Sequence, residues 1–281
     1  MIAATFLVAA PDQPGLVARL AGYFYERGLN IVDAGNHSDE GVQPARFFMR
    51  LVVDLGEAPR AEVESGFARL ATLLCATFSV GYSDVLPRVA ILVTKEVNCL
   101  YDLILRQRAG ELRCELPLIV SNHAALESVA KSFAIPFQAL PVTAETRPAQ
   151  EAALLDLLRA QRIDLVVLAR YMQVLSAELL VKAPPVINIH HGFLPAFQGA
   201  RPYHQAHERG VKMIGATAHY ATAELDQGPI IEQDVARVTH QLGPEELARV
   251  GRDVERVVLA RAVRAHLERR ILVEGRRTIL L

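Results

Sequence analysis

Apolar positions recur at every second residue in Phe47, Met49, Leu51 and Val53. That period predicts a β-strand with these side chains on one face. Upstream, Thr5–Ala10 reads as a strand and Pro11-Asp12-Gln13-Pro14-Gly15 as a turn. Leu16, Leu20 and Phe24 then follow at helical spacing, and Gly28 supplies the stop. Ile31–Asn36 is strand-like, residues 60–76 return to a helical pattern, and Thr77–Tyr82 is a further strand. The order β-α-β-β-α-β predicts a ferredoxin-like α+β domain over residues 1–84. A small sheet of this kind leaves edges that often pair with another copy.

From Arg88 onward the strands change character. Val89–Val93, Leu116–Ser121, Pro136–Leu140, Leu165–Ala169 and Val186–His190 are short apolar runs, not alternating ones. Helical patterns separate them over a segment holding Leu100, Leu103 and Ile104, then over residues 123–133, 148–161 and 174–182. Apolar strands alternating with helices predict a mostly parallel sheet covered on both faces, within a second domain over residues 85–281. Such sheets hold ligands at the carboxyl ends of their strands, where Arg170–Leu175 and His190–Leu194 fall. Further on, Arg201–Gly210 reads as a short helix, Ile214–Tyr220 as a strand, and residues 221–229 as a loop. Pro244 to Leu267 is strongly helical, and Ile271–Val273 with Thr278–Leu281 suggests a terminal hairpin.

Composition narrows the class. The chain has 281 residues, 51% of them hydrophobic, which suits two domains with their own cores. Lys+Arg is 30 against Asp+Glu 31, so no charge excess points to nucleic acid or a membrane surface. The basic cluster Arg269, Arg270, Arg276 and Arg277 reads as a solvated helix face. Cys75, Cys99 and Cys114 form no close pair, which argues against a disulfide framework or a zinc ribbon and reads as three small buried hydrophobes in a reduced, cytoplasmic setting. No positive residue precedes the apolar start Ile2–Ala10, so a first strand is a better reading than a signal peptide.

The candidate chemistry centres on Asn188, His190 and Asp226. Asn188 and His190 are two apart on one strand and share a face. Burying an amide and an imidazole together is costly unless both are used. Asp226 sits in the loop Leu225-Asp226-Gln227-Gly228-Pro229. An amide donor, an imidazole and a carboxylate are what attack on a carbonyl requires. His219, on the strand before that loop, reads as an outer partner of the site. A metal site is disfavoured, because His190 and His191 in tandem on a strand would point to opposite faces and His204 and His207 fall on an exposed helix. After the first strand of the second part comes Val93-Thr94-Lys95-Glu96-Val97-Asn98-Cys99-Leu100, which is neither a dinucleotide fingerprint nor a phosphate loop.

These stretches resemble the folate-dependent formyltransferase family. The resemblance is carried by Asn188-Ile189-His190, Leu194-Pro195, Gly215-Ala216-Thr217-Ala218-His219-Tyr220 and Leu225-Asp226-Gln227-Gly228-Pro229-Ile230-Ile231. Within that family the chain is more similar to the formyltetrahydrofolate deformylases, along nearly its whole length. The supporting stretches are Pro11-Asp12-Gln13-Pro14-Gly15, Arg46-Phe47-Phe48-Met49-Arg50, Cys99-Leu100-Tyr101-Asp102-Leu103, Ala169-Arg170-Tyr171-Met172-Gln173-Val174-Leu175 and Gly199-Ala200-Arg201-Pro202-Tyr203.

The resemblance implies a regulatory or oligomerisation ACT domain over 1–84 and a Rossmann-like, formyltransferase-type catalytic domain over 85–281. It implies hydrolysis of 10-formyltetrahydrofolate to formate and tetrahydrofolate, in support of one-carbon and purine metabolism, with Asn188, His190 and Asp226 catalytic. Met172, Val174, Leu175, Ala221 and Leu225 match positions that hold the folate's pterin, largely through backbone atoms. Asp12, Gly15 and Asn30 match where ACT domains take an amino-acid effector. The partners implied are the folate, water and a second copy, in a dimer or tetramer, with no cofactor and no metal. Relatives that formylate glycinamide ribonucleotide carry a glycine-rich phosphate loop where this chain has Thr94–Leu100, which favours water as the acceptor. A formyltransferase with an amine acceptor and a non-catalytic folate or amino-acid sensor are the alternatives. Gly192 stands where many deformylases have serine, which bears on a hydrogen bond near the site and not on the reaction class.

Overall fold

The computed structural model describes residues 2–41, 43–195 and 202–281, the side chain of Pro202 aside. The motif stretch Gly199–Arg201 and the first residue of the helix expected over 201–210 lie outside the described residues. The chain forms two compact units. The first holds residues up to Leu86 together with Glu268–Glu274 and Thr278–Leu281, and the second holds Pro87–Leu267 and Gly275–Arg277.

In the first unit, β1 (Ala3–Pro11), α1 (Leu16–Tyr25), β2 (Asn30–Asp39), β3 (Arg46–Asp54), α2 (Arg60–Leu73) and β4 (Thr77–Tyr82) follow the ferredoxin-like order. Their antiparallel sheet runs β2-β3-β1-β4. Strand β1 buries every second residue, Ala4, Phe6, Val8 and Ala10, as a strand with one covered face must. The Phe6 ring lies 5.1 Å from that of Phe24 on α1 and 4.7 Å from that of Phe67 on α2, so one side chain ties both helices to the sheet. Each such burial is worth roughly 1.5–3 kcal/mol. The Arg50 Nε donates to the Arg269 carbonyl (3.1 Å) and Arg269 Nη2 donates to Ser79 Oγ (2.6 Å). The basic cluster is therefore not a helix face. Arg269 and its neighbours lie beyond the last helix, and burial pushes the Arg269 pKa down.

The second unit begins with β5 (Arg88–Val93), α3 (Asn98–Arg108) and β6 (Glu115–Ser121). The stretch expected as one helix over 123–133 divides into a 3₁₀ turn over Ala124–Leu126 and α4 (Glu127–Ser132). Next come β7 (Phe137–Ala139), α5 (Arg147–Ala160) and β8 (Leu165–Leu168). Helix α6 (Ala177–Lys182) starts later than the pattern suggests because Ser176 caps it, its Oγ accepting from Leu179 N at 3.1 Å. After β9 (Val186–His190), α7 (Pro202–Glu208) and β10 (Met213–Tyr220) comes β11 (Ile230–Arg237), a strand absent from the pattern reading. Its Glu232, Gln233, Asp234 and Arg237 break the apolar run, as suits an edge strand.

Helix α8 (Pro244–Leu267) buries Leu247, Gly251, Glu255, Val258, Leu259, Ala262 and Val263, one stripe at helical spacing. The last strands, β12 (Ile271–Glu274) and β13 (Arg277–Leu280), pair with each other. Among the described residues the large sheet runs β11-β10-β9-β8-β5-β6-β7. Strands β5 to β9 are parallel, while β10 and β11 are antiparallel. Strand order turns back between β5 and β8, which opens a crevice at their carboxyl ends. Cys99 and Cys114 are buried as expected, but Cys75, just past α2 in a left-handed conformation (φ 52°), is exposed.

Candidate active site

Strands β9 and β10 bring the polar residues together. Their antiparallel register sets His219 opposite Asn188 and Thr217 opposite His190. His219 Nδ1 donates to the Tyr220 carbonyl at 2.9 Å. That bond places a ring proton on Nδ1, so Nε2 can accept, and it faces Asn188 Nδ2 at 3.2 Å. One amide hydrogen of Asn188 is thereby fixed on His219, and the second stays free for a ligand.

Asp226 reaches the same place from the loop between β10 and β11. Its Oδ2 lies 3.3 Å from His190 Nδ1 and its Oδ1 lies 3.7 Å from His219 Nε2. The hydrogen bond from His190 holds the Asp226 carboxyl well below the usual carboxylate range, against the opposing effect of burial. Asp226 has φ 57°, a left-handed conformation that costs a non-glycine residue strain and is held here by the loop around it. Gly228 closes that loop: a Cβ there would stand 1.7 Å from the Tyr220 carbonyl oxygen. With Nδ1 of His190 turned to the carboxylate, its Nε2 is buried without a hydrogen-bond partner. Such a group in a native site awaits a ligand or a water.

The surroundings hold the loops in place. Thr217 is fully buried, donates to the Gly192 carbonyl (2.9 Å) and accepts from Leu194 N (3.0 Å) and Gln233 Nε2 (2.9 Å). The turn after β9 is thus fixed through its backbone, with no need of a side chain at Gly192. Across the crevice, Thr94 Oγ1 accepts from Met172 N at 2.9 Å, which links the segments following β5 and β8.

Comparisons with known proteins place the chain in a family. Residues 87–263 match the family described as formyl transferase. A formyltetrahydrofolate deformylase from Synechocystis is 54% identical over 99% of this chain and 98% of its own length. A crystal structure of a formyltetrahydrofolate deformylase from Pseudomonas syringae superposes with a TM-score of 0.96 at 39% identity, covering 100% of this chain and 95% of that one. This chain belongs to the formyltetrahydrofolate deformylase family. A glycinamide ribonucleotide transformylase from Symbiobacterium toebii, at 30% identity and a TM-score of 0.67, covers 71% of this chain and 96% of its own.

On this deformylase fold the other expected positions scatter somewhat. Met172, Val174 and Leu225 are exposed, at 56%, 50% and 63%. Leu175 is buried in the apolar cluster against which Ala221 packs. Ala221 N donates to the Val186 carbonyl at 2.8 Å. In the first unit, Asp12 and Gly15 line an open cleft of about 520 Å³ with Asn36, Ser38 and Phe47. Asn30 is not there. It pairs with Asp54, level with Ala3, at the end of the sheet opposite Pro11.

The pattern reading of tandem histidines on opposite faces fails. Strand β9 stops at His190, and the chain turns so that the two imidazoles stack, centroids 5.2 Å apart. Sequence reasoning passed over Gln233 and Glu255, and it quoted Thr217 and Tyr203 only within longer stretches without giving either a role; each is a single polar residue with no spacing signal. Among the described residues no group of three or more His, Cys, Asp or Glu side chains is arranged to hold a metal ion, and no helix is long and apolar enough to cross a membrane.

Proposed function

We propose that this chain hydrolyses 10-formyltetrahydrofolate to formate and tetrahydrofolate, with Asn188, His190 and Asp226 as the catalytic groups and no resident cofactor or metal. The observation that carries the assignment of groups is the convergence of a half-free amide, an unpartnered imidazole nitrogen and an ionised carboxylate on one face of β9.

The chemistry follows from those groups. The His190 Nε2 takes a proton from water as its oxygen bonds to the formyl carbon. The free amide hydrogen of Asn188 and the new N–H of His190 stabilise the oxyanion. The bond from carbon to N10 then breaks with its electron pair going to N10, which receives the proton from His190. Formic acid loses its proton to solvent. Asp226 supports the positive charge on His190. It favours the charged form of His190 and so helps move the proton from water to the leaving N10.

Met172, Val174, Leu175, Ala221 and Leu225 hold the pterin, Leu175 through its backbone. The second unit, Pro87–Leu267 with Gly275–Arg277, is catalytic, and the first, which takes in the C-terminal strands as well as residues up to Leu86, assembles copies and takes a small amino acid at Asp12 and Gly15. The exposed β2 edge of its sheet supports assembly. The unpaired cysteines support a cytoplasmic setting. Incubation with 10-formyltetrahydrofolate and no amine tests the reaction: formate accumulates, whereas formate absent until an amine is added would overturn it. Common amino acids added to that assay test the effector site, and unchanged rate and assembly would count against it.

A further inference from the structure

A chain of contacts, buried at both ends and part-buried between, runs from helix α8 to the histidine pair. Glu255 on α8 is 1% exposed, and its Oε1 accepts from Tyr203 Oη at 2.7 Å. Its Oε2 lies 3.6 Å from Arg170 Nε, in the segment after β8, where Arg170 takes a left-handed conformation (φ 63°). One helical turn before Glu255 stands Gly251. A Cβ at Gly251 would lie 1.9 Å from Tyr203 Oη, so the missing side chain is the notch that seats the phenol. The Tyr203 ring centroid is 6.3 Å from that of His191, which in turn stacks on His190 at 5.2 Å and 29°.

We propose that Tyr203, seated at Gly251 and anchored by Glu255, is a positioning residue that acts through the His191 ring to hold His190 in line with Asp226 and Asn188. His190 needs such support. Its Nδ1 contact to Asp226 is long at 3.3 Å and its Nε2 has no partner, so polar contacts by themselves set the ring plane weakly and packing must set the rest. A stacked neighbour fixes the ring plane. His191 suits that place because burial, then the charges of Arg170 and His190, push its pKa down to about 3, against the opposing pull of Asp226. An uncharged ring neither repels a protonated His190 nor competes for its proton. Arg170 supplies the charge that lets Glu255 be buried at the far end of the chain.

The inference rests on the hydrolytic reading, and the wild-type enzyme reports that reading independently by releasing formate without an acceptor. Three variants test the inference: His191→Phe, His191→Ala and Tyr203→Phe. Each is assayed for kcat, KM, the pH profile of kcat and tetrahydrofolate binding, the last as a check on the fold. Phenylalanine at 191 keeps the stacked ring, so kcat stays close to wild type. His191→Ala lowers kcat on the order of 10- to 100-fold with KM little changed, the scale of a catalytic group displaced by a fraction of an ångström. Tyr203→Phe, which loses only the hydroxyl held by Glu255, lowers kcat in the same sense and alters its pH profile. Equal losses in His191→Phe and His191→Ala would make His191 a chemical participant and overturn the proposal. Unchanged kcat in His191→Ala, or a Tyr203→Phe enzyme that loses thermal stability at full kcat, would overturn it as well.

Discussion

Asn188 and His219 face each other across the antiparallel pair β9 and β10, with the amide nitrogen 3.2 Å from an imidazole nitrogen that can accept. The imidazole sets which way the amide points, and so where its second hydrogen goes. A double-mutant cycle reads this out. Asn188→Ala lowers kcat on the order of 10²–10³, the usual cost of one oxyanion donor. His219→Phe lowers kcat less. The two together cost no more than Asn188→Ala alone, because His219 acts through Asn188. Multiplying losses would show that His219 acts by another route.

Asp226 is held as a carboxylate chiefly by the hydrogen bond from His190. Asp226→Asn keeps the shape of the side chain and removes the charge that supports His190. Turnover then falls on the order of 10²-fold or more while folate affinity changes little. Steady-state kinetics beside equilibrium binding of tetrahydrofolate checks this, and equal loss of both would make Asp226 merely structural.

The same carboxylate makes a prediction about stability. Its folded-state pKa lies below the unfolded value, so its stabilising contribution is present above roughly pH 4 and is lost as pH falls through the folded-state pKa. Denaturant midpoints of wild type and Asp226→Asn should therefore differ most above about pH 4 and converge at lower pH. A gap that widens on acidification would contradict the assignment.

Gly228 is where the loop carrying Asp226 passes closest to backbone, since a Cβ would stand 1.7 Å from the Tyr220 carbonyl oxygen. Gly228→Ala forces the loop away, destabilises the protein by about 1–3 kcal/mol, and lowers kcat by moving Asp226. Thermal unfolding and kinetics on one preparation give both values. An alanine variant with normal kcat would mean that the loop tolerates the shift.

Much of this was legible in the chain because two periodicities and one motif carry it. Phe47 to Val53 and Val186 to His190 show their strands plainly, and Asn188, His190 and Asp226 stand out as polar groups near apolar segments. Strand β11 was not legible. At the sheet edge its fold rests on backbone pairing with β10, and Glu232, Gln233 and Asp234 erase the apolar signal. The stacking of His191 on His190 was hidden for another reason: it depends on the strand ending at His190, a boundary of one residue. Tyr203, Glu255 and Arg170 meet only through tertiary packing, and a glycine at 251 carries no mark of the phenol it admits.

The central claim is that these groups send the formyl carbon to water. Turnover of 10-formyltetrahydrofolate in ¹⁸O-labelled water, without any amine, tests it most directly by mass measurement of the formate. The account predicts labelled formate in equal amount to tetrahydrofolate. Tetrahydrofolate appearing without labelled formate, or no turnover until an amine is supplied, would contradict it.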